Sequence, residues 1–304
     1  MPHARNLLVA DGAIKEIKDL KGGTVVCREA EGNAERYTCF YHGWTYDLDG
    51  QLKSAPEMGT APDFDIADIR LPQLRVRIWQ GLVFAAAPAS HAVRNSVRFE
   101  ALVAGIDARI GTQRGLEHYG HHQRVAYDLA CNWKVYVDNY LEGYHVPHVH
   151  PALNRMLDYR SYQTEIAEWH SLQWSPLESS AELYGNGDAL YYWLWPNTML
   201  NILPGRLQTN RVVPLAVDRC RVEFDFYYPL GESANDDSGE ARARREADLA
   251  FSDEVQHEDL GICADVQRGL ASGSYVAGRL NPLRESAVHH FQERLRAAYR
   301  QAHA

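Results

Sequence analysis

Three histidines, His145, His148 and His150, fall within six residues at the end of Asn132-Trp-Lys-Val-Tyr-Val-Asp-Asn-Tyr-Leu-Glu-Gly-Tyr-His-Val-Pro-His-Val-His-Pro151, and no other stretch constrains this chain as much. Histidine is the commonest metal ligand, and clustering of the 14 in this chain raises the expectation of a metal. The run predicts a helix over Asn132 to Tyr144 stopped by Pro147. Glu142 and His145, three apart, then project from one face, and Asp138, four before Glu142, shares it. The stop at Pro147 lets His150 swing back toward His145. The competing reading is a helix end decorated with solvated histidines, and the acidic, aromatic and proline context weighs against it.

Composition narrows the rest. The chain has 304 residues, which gives a prior of two domains. Its net charge of -9 does not suit generic nucleic-acid binding, which needs a basic face. With 45% hydrophobic and 23% charged residues it is an ordinary globular composition with material for a full core. The longest apolar stretch, Gly81 to Pro88, is far short of a membrane span, and Met1 to Val9 carries no long apolar segment typical of a secretory signal. Five cysteines do not suggest a disulfide framework, so a cytoplasmic protein with reduced thiols is expected.

The pattern predicts two domains, residues 1–90 and 91–304, with the boundary at Pro88 to Arg94. The first reads as all-β. Gly23 to Cys27 and Glu35 to Cys39 are short β-rich runs, Asp49-Gly50 is a hairpin cue, and Leu74 to Trp79 alternates at period two before a buried strand at Gly81 to Phe84. The second reads as α+β. Tyr191–Trp195, Thr198–Leu203, Leu207–Leu215 and Arg219–Tyr228 are consecutive strands, Gly231 to Gly239 is a mobile loop, and long helices span about Glu240 to Leu270 and Pro282 to Gln301.

Two imidazoles plus one carboxylate with open positions form the facial triad of non-haem Fe(II) oxygenases. The sequence Glu-x2-His-x4-His, preceded by Asp-Asn-Tyr-Leu and followed by Pro, resembles the catalytic domain of Rieske-type non-haem iron oxygenases. Within that family it is most similar to the choline, carnitine and glycine betaine monooxygenase branch. The resemblance runs from about Gly22 to Phe291. It implies that His145 and His150 bind a mononuclear Fe(II) and that Glu142 bridges to the Rieske cluster of a neighbouring subunit. It also implies that Asn139 sits near the open iron position, while His148 and the His289-His290 pair are structural.

A third ligand is expected from the helix Phe251 to Leu270. Asp259, Cys263, Val266 and Leu270 recur at helical spacing on one largely apolar face, where a carboxylate needs a charge partner or a metal. Glu258 points about 100° away, toward a wetter face. The family pattern also places the ligand at Asp259.

Cys39-Phe-Tyr-His42-Gly-Trp-Thr-Tyr-Asp-Leu-Asp-Gly50 resembles the second half of a Rieske motif. A Rieske 2Fe–2S cluster takes two Cys on one iron and two His on the other. The first half, Cys-x-His-Arg-Gly, is absent upstream, and aligning Gly22-Gly23 with its glycines puts Lys18 and Leu20 at the ligand positions. Cys27 and His3 are the other upstream residues of the right type. The domain therefore reads as an incomplete Rieske domain whose residues 1–21 are an altered or shortened start.

The resemblance implies an oxygenase α subunit, mono- or dioxygenase, that uses Fe(II), O2 and electrons from an NAD(P)H-dependent reductase through the cluster. Its substrate would be a small aromatic or quaternary ammonium compound, and its assembly a homotrimer, with neither nucleic acid nor membrane as partner. Tyr191, Tyr192, Trp193 and Trp195 could form a cation–π cage, although alternate strand residues face opposite ways. Two other readings stand beside it. One is a degenerate homologue that binds a small ligand without a working cluster. The other is a zinc hydrolase using His145 and His150, which lacks a positioned general base.

Overall fold

A computed structural model describes residues 7–9, 35–86, 97–110, 115–178, 183–230, 239–275 and 277–302. The chain divides into two compact units, Met1–Arg94 and Asn95–Ala304.

In the first unit β1 (Leu7–Val9), β2 (Tyr37–Thr38), β3 (Thr45–Tyr46), β4 (Leu52–Ser54), β5 (Arg75–Trp79) and β6 (Leu82–Ala86) form two small sheets, ordered β2-β3-β4 and β1-β6-β5. The β3–β4 hairpin turns where the sequence places Asp49-Gly50. Asp47 Oδ1 accepts from the backbone N–H of Asp49 and Gln51, and Gly50 takes φ +83°, a left-handed conformation that glycine enters without strain. Gln80 and Gly81, at φ 51° and 75°, close the β5–β6 hairpin with the backbone twist its strands require. The expected strand at Gly23 to Cys27 and the expected boundary at Pro88 to Arg94 lie outside the described residues.

The second unit is α+β. Strands β7 (Tyr119–Leu129), β8 (Gln163–Ile166), β9 (His170–Pro176), β10 (Asp188–Leu194), β11 (Thr198–Leu203), β12 (Arg206–Ala216) and β13 (Arg219–Pro229) make one antiparallel sheet, ordered β7-β13-β12-β11-β10-β9-β8. Helices α1 (Phe99–Leu102), α2 (Ile106–Ile110), α3 (Trp133–Tyr140), α4 (Val146–Val149), α5 (Pro151–Met156), α6 (Gly239–Ala271) and α7 (Ser286–Ala302) accompany it. The four strands and two long helices expected from pattern are present. Strands β7, β8 and β9 are additions: runs such as Tyr-Gly-His-His-Gln-Arg124 in β7 bury too little to show a period, and β9 is buried but rich in polar residues. Residues 231–238 of the expected loop lie outside the described residues.

The core lies where α3, α6 and α7 meet the sheet. Trp193, Val212, Val222, Val137, Cys263 and Phe291 are buried there together. The Phe291 ring meets Trp193 at 5.4 Å and Trp133 at 5.9 Å, so α7 locks α3 to β10. Helix α7 starts at Ser286 rather than Pro282, because Asn281 Oδ1 accepts from the Leu283 and Arg284 N–H groups and holds a turn there. No helix among the described residues is long and apolar enough to cross a membrane.

Candidate metal centre and its cavity

Helix α3 is capped by Asn132, whose Oδ1 accepts from the Lys134 N–H at 3.1 Å. It ends at Tyr140, four residues short of the expected Tyr144. Beyond that end the chain passes close to Tyr162, where only glycine fits: a Cβ at Gly143 would stand 2.7 Å from the Tyr162 ring. Glu142 and His145 are therefore not one turn apart on a helix, and Asp138 does not share their face. Asp138 Oδ2 instead accepts from Gln292 on α7 at 3.3 Å, and burial pushes its carboxyl up to about 7. Pro147 does not stop a helix either. It sits in the first turn of α4, where a missing N–H is harmless, and Pro151 begins α5. His145 and His150 occupy the two helix joints, and these corners bring them together.

Glu142 folds back, its Oε2 accepting from the His145 N–H at 3.1 Å and its Oε1 meeting His145 Nδ1. On the other imidazole, His150 Nδ1 lies 2.6 Å from Glu258 Oε2. Each Nδ1–H thus has a carboxylate to donate to, which leaves each Nε2 with a lone pair. The two Nε2 atoms face one another at 3.1 Å, and Asp259 Oδ1 stands 3.1 Å from His150 Nε2 and 3.9 Å from His145 Nε2. Asn139 Nδ2 donates to the same Asp259 oxygen at 2.7 Å.

Three acceptors pointing at one point repel each other unless a cation lies between them. Donors about 2.1 Å from a metal on perpendicular axes stand roughly 3 Å apart, as His150 Nε2 does from both other donors. The residues fit a metal. His150 is 1% exposed; burial lowers its proton affinity, while Asp259 and Glu258 raise it to a net value above the ordinary histidine range.

Beside this cluster opens a cavity of about 110 Å³. One wall is the sheet. Gln173, Tyr191, Asn201 and Gln208 are direct cross-strand partners on β9, β10, β11 and β12, and all four line the cavity. Asn210 and Arg206 flank Gln208 on the same face of β12. Leu153, Met156, Phe224, Phe251 and Val255 close the apolar sides.

The structure brings together His145, His150, Asp259, Glu142 and Asn139. Glu258 corrects the sequence reading: it is not a solvated acid on a wet face but the partner of His150 Nδ1. The apolar stripe through Asp259 ends at Cys263, since Val266 and Leu270 are exposed. His148 is exposed at the end of α4, and His290 packs edge-on to Trp193. The four-residue aromatic cage is not assembled: Tyr191 alone of the four lines the cavity, and Trp193 and Trp195 pack on Phe291. Sequence reasoning missed Arg206, Gln208 and Asn210. The sequence carried little signal for them, because Thr209 and Arg211 beside them are polar too and no alternation stands out.

In the first unit Cys39 and His42 lie on the exposed loop between β2 and β3, where Gly43 N–H donates to Cys39 O at 2.8 Å. They supply one thiol and one imidazole of the four ligands a Rieske cluster needs. Lys18, Leu20, Cys27 and His3 lie outside the described residues.

A two-histidine, one-carboxylate donor set over an antiparallel sheet defines a mononuclear non-haem iron type of site. Residues 116–301 match the family described as ring hydroxylating alpha subunit (catalytic domain), and residues 11–71 match the Rieske [2Fe-2S] domain. The chain belongs to the ring-hydroxylating oxygenase α-subunit family, and the two matches imply a Rieske cluster and a mononuclear iron. It is 38% identical over 274 residues to a chloroplastic choline monooxygenase of Arabidopsis thaliana, covering 86% of this chain and 63% of that protein. It is 28% identical to the carnitine monooxygenase oxygenase subunit of Escherichia coli (strain K12), over 89% of this chain and 73% of that one. A solved quaternary ammonium Rieske monooxygenase, described for carnitine oxidation and inter-subunit electron transfer, shares the fold with TM-score 0.74 at 24% identity, over 90% of this chain and 75% of that one. The chain spans 58% to 63% of the length of the choline monooxygenases it matches.

Proposed function

We propose that this chain is the oxygenase subunit of a Rieske-type monooxygenase acting on a small quaternary ammonium compound. His145, His150 and Asp259 hold the Fe(II), and the observation that carries this is their three lone-pair atoms converging while both Nδ1 atoms are engaged elsewhere. Iron bound there supplies O2 activation for oxygen insertion into the substrate. The remaining work is the chain's own. Glu142 and Glu258 fix the tautomer and tilt of the two imidazoles. Asn139 pins one oxygen of Asp259. The apolar sides of the cavity exclude water, and the polar sheet wall orients the substrate.

The division into a Rieske-like domain over residues 1–90 and a catalytic domain over 91–304 belongs to this reading. So do a homotrimer, an NAD(P)H-dependent reductase and Glu142 as the link to a neighbouring subunit's cluster. The choline and carnitine relatives support the substrate class. With Lys18 and Leu20 at the sequence positions where the motif carries its first Cys and His, Cys39 and His42 make up half of the ligand set. That half-set favours a second reading, a homologue that binds iron and ligand without reductase-driven turnover.

Anaerobic reconstitution with Fe(II) should give about one iron per chain, lost in both His145→Ala and His150→Ala; unchanged iron in both variants rejects the site. The unmodified chain should show no reduced-state Rieske EPR signal, and Lys18→Cys with Leu20→His should create one. A complete Rieske spectrum in the unmodified chain would reject the ligand register.

A further inference from the structure

We propose that Arg206 is the anchor for a carboxylate on the substrate, so that the cavity takes a carboxylated, betaine-type zwitterion in preference to a simple cation. This rests on the oxygenase reading above and specifies the far end of the molecule it binds.

Arg206 opens β12 immediately after the tight turn at Pro204-Gly205, with Gly205 at φ 74°. It is 5% exposed overall, yet it lines the cavity. A guanidinium carries five N–H donors and no acceptor. Here Nη1 makes one long bond, 3.3 Å to the Tyr184 hydroxyl. Nε lies 3.2 Å from Asp248 Oδ1 but is not aligned for a hydrogen bond to it. Nη2 has no partner among the described residues.

Asp248, which does not line the cavity, balances the charge of Arg206 but leaves its N–H groups open, and its oxygens accept from two tyrosines instead. Tyr184 donates to Oδ1 at 2.5 Å and Tyr228 donates to Oδ2 at 2.6 Å. The guanidinium packs over the Tyr184 and Phe226 rings, 5.8 and 5.6 Å from their centroids, which hold it in place but offer no acceptor. A buried, charged donor with open N–H groups is expensive to maintain unless something fills them.

The neighbouring wall offers nothing else of either sign. Gln173, Tyr191, Asn201, Gln208 and Asn210 are neutral, and Gln208 Nε2 already donates to Asn210 Oδ1 at 2.7 Å. The carboxylates that line the cavity, Glu142 and Asp259, are committed to the imidazoles and Asn139. At the Arg206 end Asp248 balances the charge from behind, and what faces the cavity is the open N–H side of the guanidinium. A substrate that is only a cation has no acceptor for these donors, whereas a carboxylate accepts from the open guanidinium in the planar geometry the two groups share.

The test uses the full chain, kept anaerobic, and calorimetric titration with two isosteric pairs. The first pair is 4-(trimethylammonio)butanoate and (4-hydroxybutyl)trimethylammonium. The second, with the charged head replaced by a tert-butyl group, is 5,5-dimethylhexanoate and 5,5-dimethylhexan-1-ol. Within each pair the carboxylate should bind about tenfold to a hundredfold more tightly than the alcohol, the range of a charge-assisted pair. Arg206→Gln should bring both ratios to about one. Because that change leaves Asp248 without its ionic neighbour, Arg206→Met combined with Asp248→Asn provides a second variant, checked for folding by thermal unfolding, with the same expected loss. Alcohols binding as tightly as carboxylates, carboxylates that do not bind the folded protein, or a ratio that survives both variants each overturn the proposal. Comparing ammonium with tert-butyl heads reads the substrate class separately: equal binding there with the carboxylate preference intact removes the quaternary ammonium reading and leaves Arg206 standing.

Discussion

The two ligand-bearing regions of this chain are built on opposite physical principles. The His145–His150–Asp259 cluster draws its donors from two helix joints and one long helix packed on a seven-stranded sheet, and its members are largely removed from water. Cys39 and His42 stand on an exposed hairpin loop with Phe40 and Tyr41 open to solvent beside them. On the proposed reading the first region fixes where its cation sits, because converging acceptors are unfavourable without one. In the second, the described residues fix half of a ligand set and carry no such penalty. A buried site advertises its occupant through what it leaves unsatisfied, and an exposed loop does not.

Removing a buried donor tests this most severely. His150→Ala should lower iron affinity by roughly more than a hundredfold, beyond the range typical for second-shell changes, measured as metal content after equilibration against a chelator. Should Cys39→Ser with His42→Ala lower mononuclear iron as much, the contrast between the regions collapses.

Next comes the buried Asp138 against the exposed Asp47. A side-chain hydrogen bond from Lys53 holds the Asp47 carboxyl below its usual range, whereas burial pushes Asp138 up to about 7. A carboxyl raised on folding binds its proton more tightly in the native state, so stability falls as pH rises from about 4 to about 7. Asp138→Asn should abolish that fall and gain about 2–3 kcal/mol on the wild type between pH 5 and pH 8, by urea denaturation. Parallel pH curves for the two proteins would show that Asp138 is not the group responsible.

Glu258→Ala follows, expected to weaken iron by about 10- to 100-fold while stoichiometry at saturation stays unchanged. The neighbouring exposed Glu254→Ala is its control and should have no effect. Equal effects of the two would mean that α6 acts only through its overall charge. The smallest change is expected from Cys39→Ser, a near-isosteric substitution on an exposed loop, within about 0.5 kcal/mol of the parent in thermal unfolding.

Much of this was legible in the sequence, for reasons that differ by residue. His145, His150 and Asp259 were legible through the clustering of histidines, the resemblance carried by Glu-x2-His-x4-His, and a carboxylate on an apolar helix face. The route by which they meet could not. A helix running to Tyr144 and broken by Pro147 is the locally sensible reading, whereas the helix ends at Tyr140 and the chain then passes at Gly143 against the Tyr162 ring, nineteen residues downstream. Glu258 was misjudged because helical geometry measures direction around one axis and knows nothing of the corner at His150. Strands β7 and β8 escaped because many of their residues face solvent, and β9 because His, Ser and Gln break up its apolar residues although it is buried.

The row Gln173, Tyr191, Asn201 and Gln208 has a consequence of another kind. Strands in a sheet are spaced about 4.8 Å apart, so successive members of the row are marks on a ruler laid across the cavity floor. The ladder that sets those marks is made by main-chain groups, and the side chains only label them. Exchanging one label rewrites what is recognised at one mark and leaves the spacing of the others untouched. The binding surface is thus modular by construction: selectivity can drift one strand at a time, in steps much coarser than a methylene, without disturbing the frame that holds the neighbouring donors.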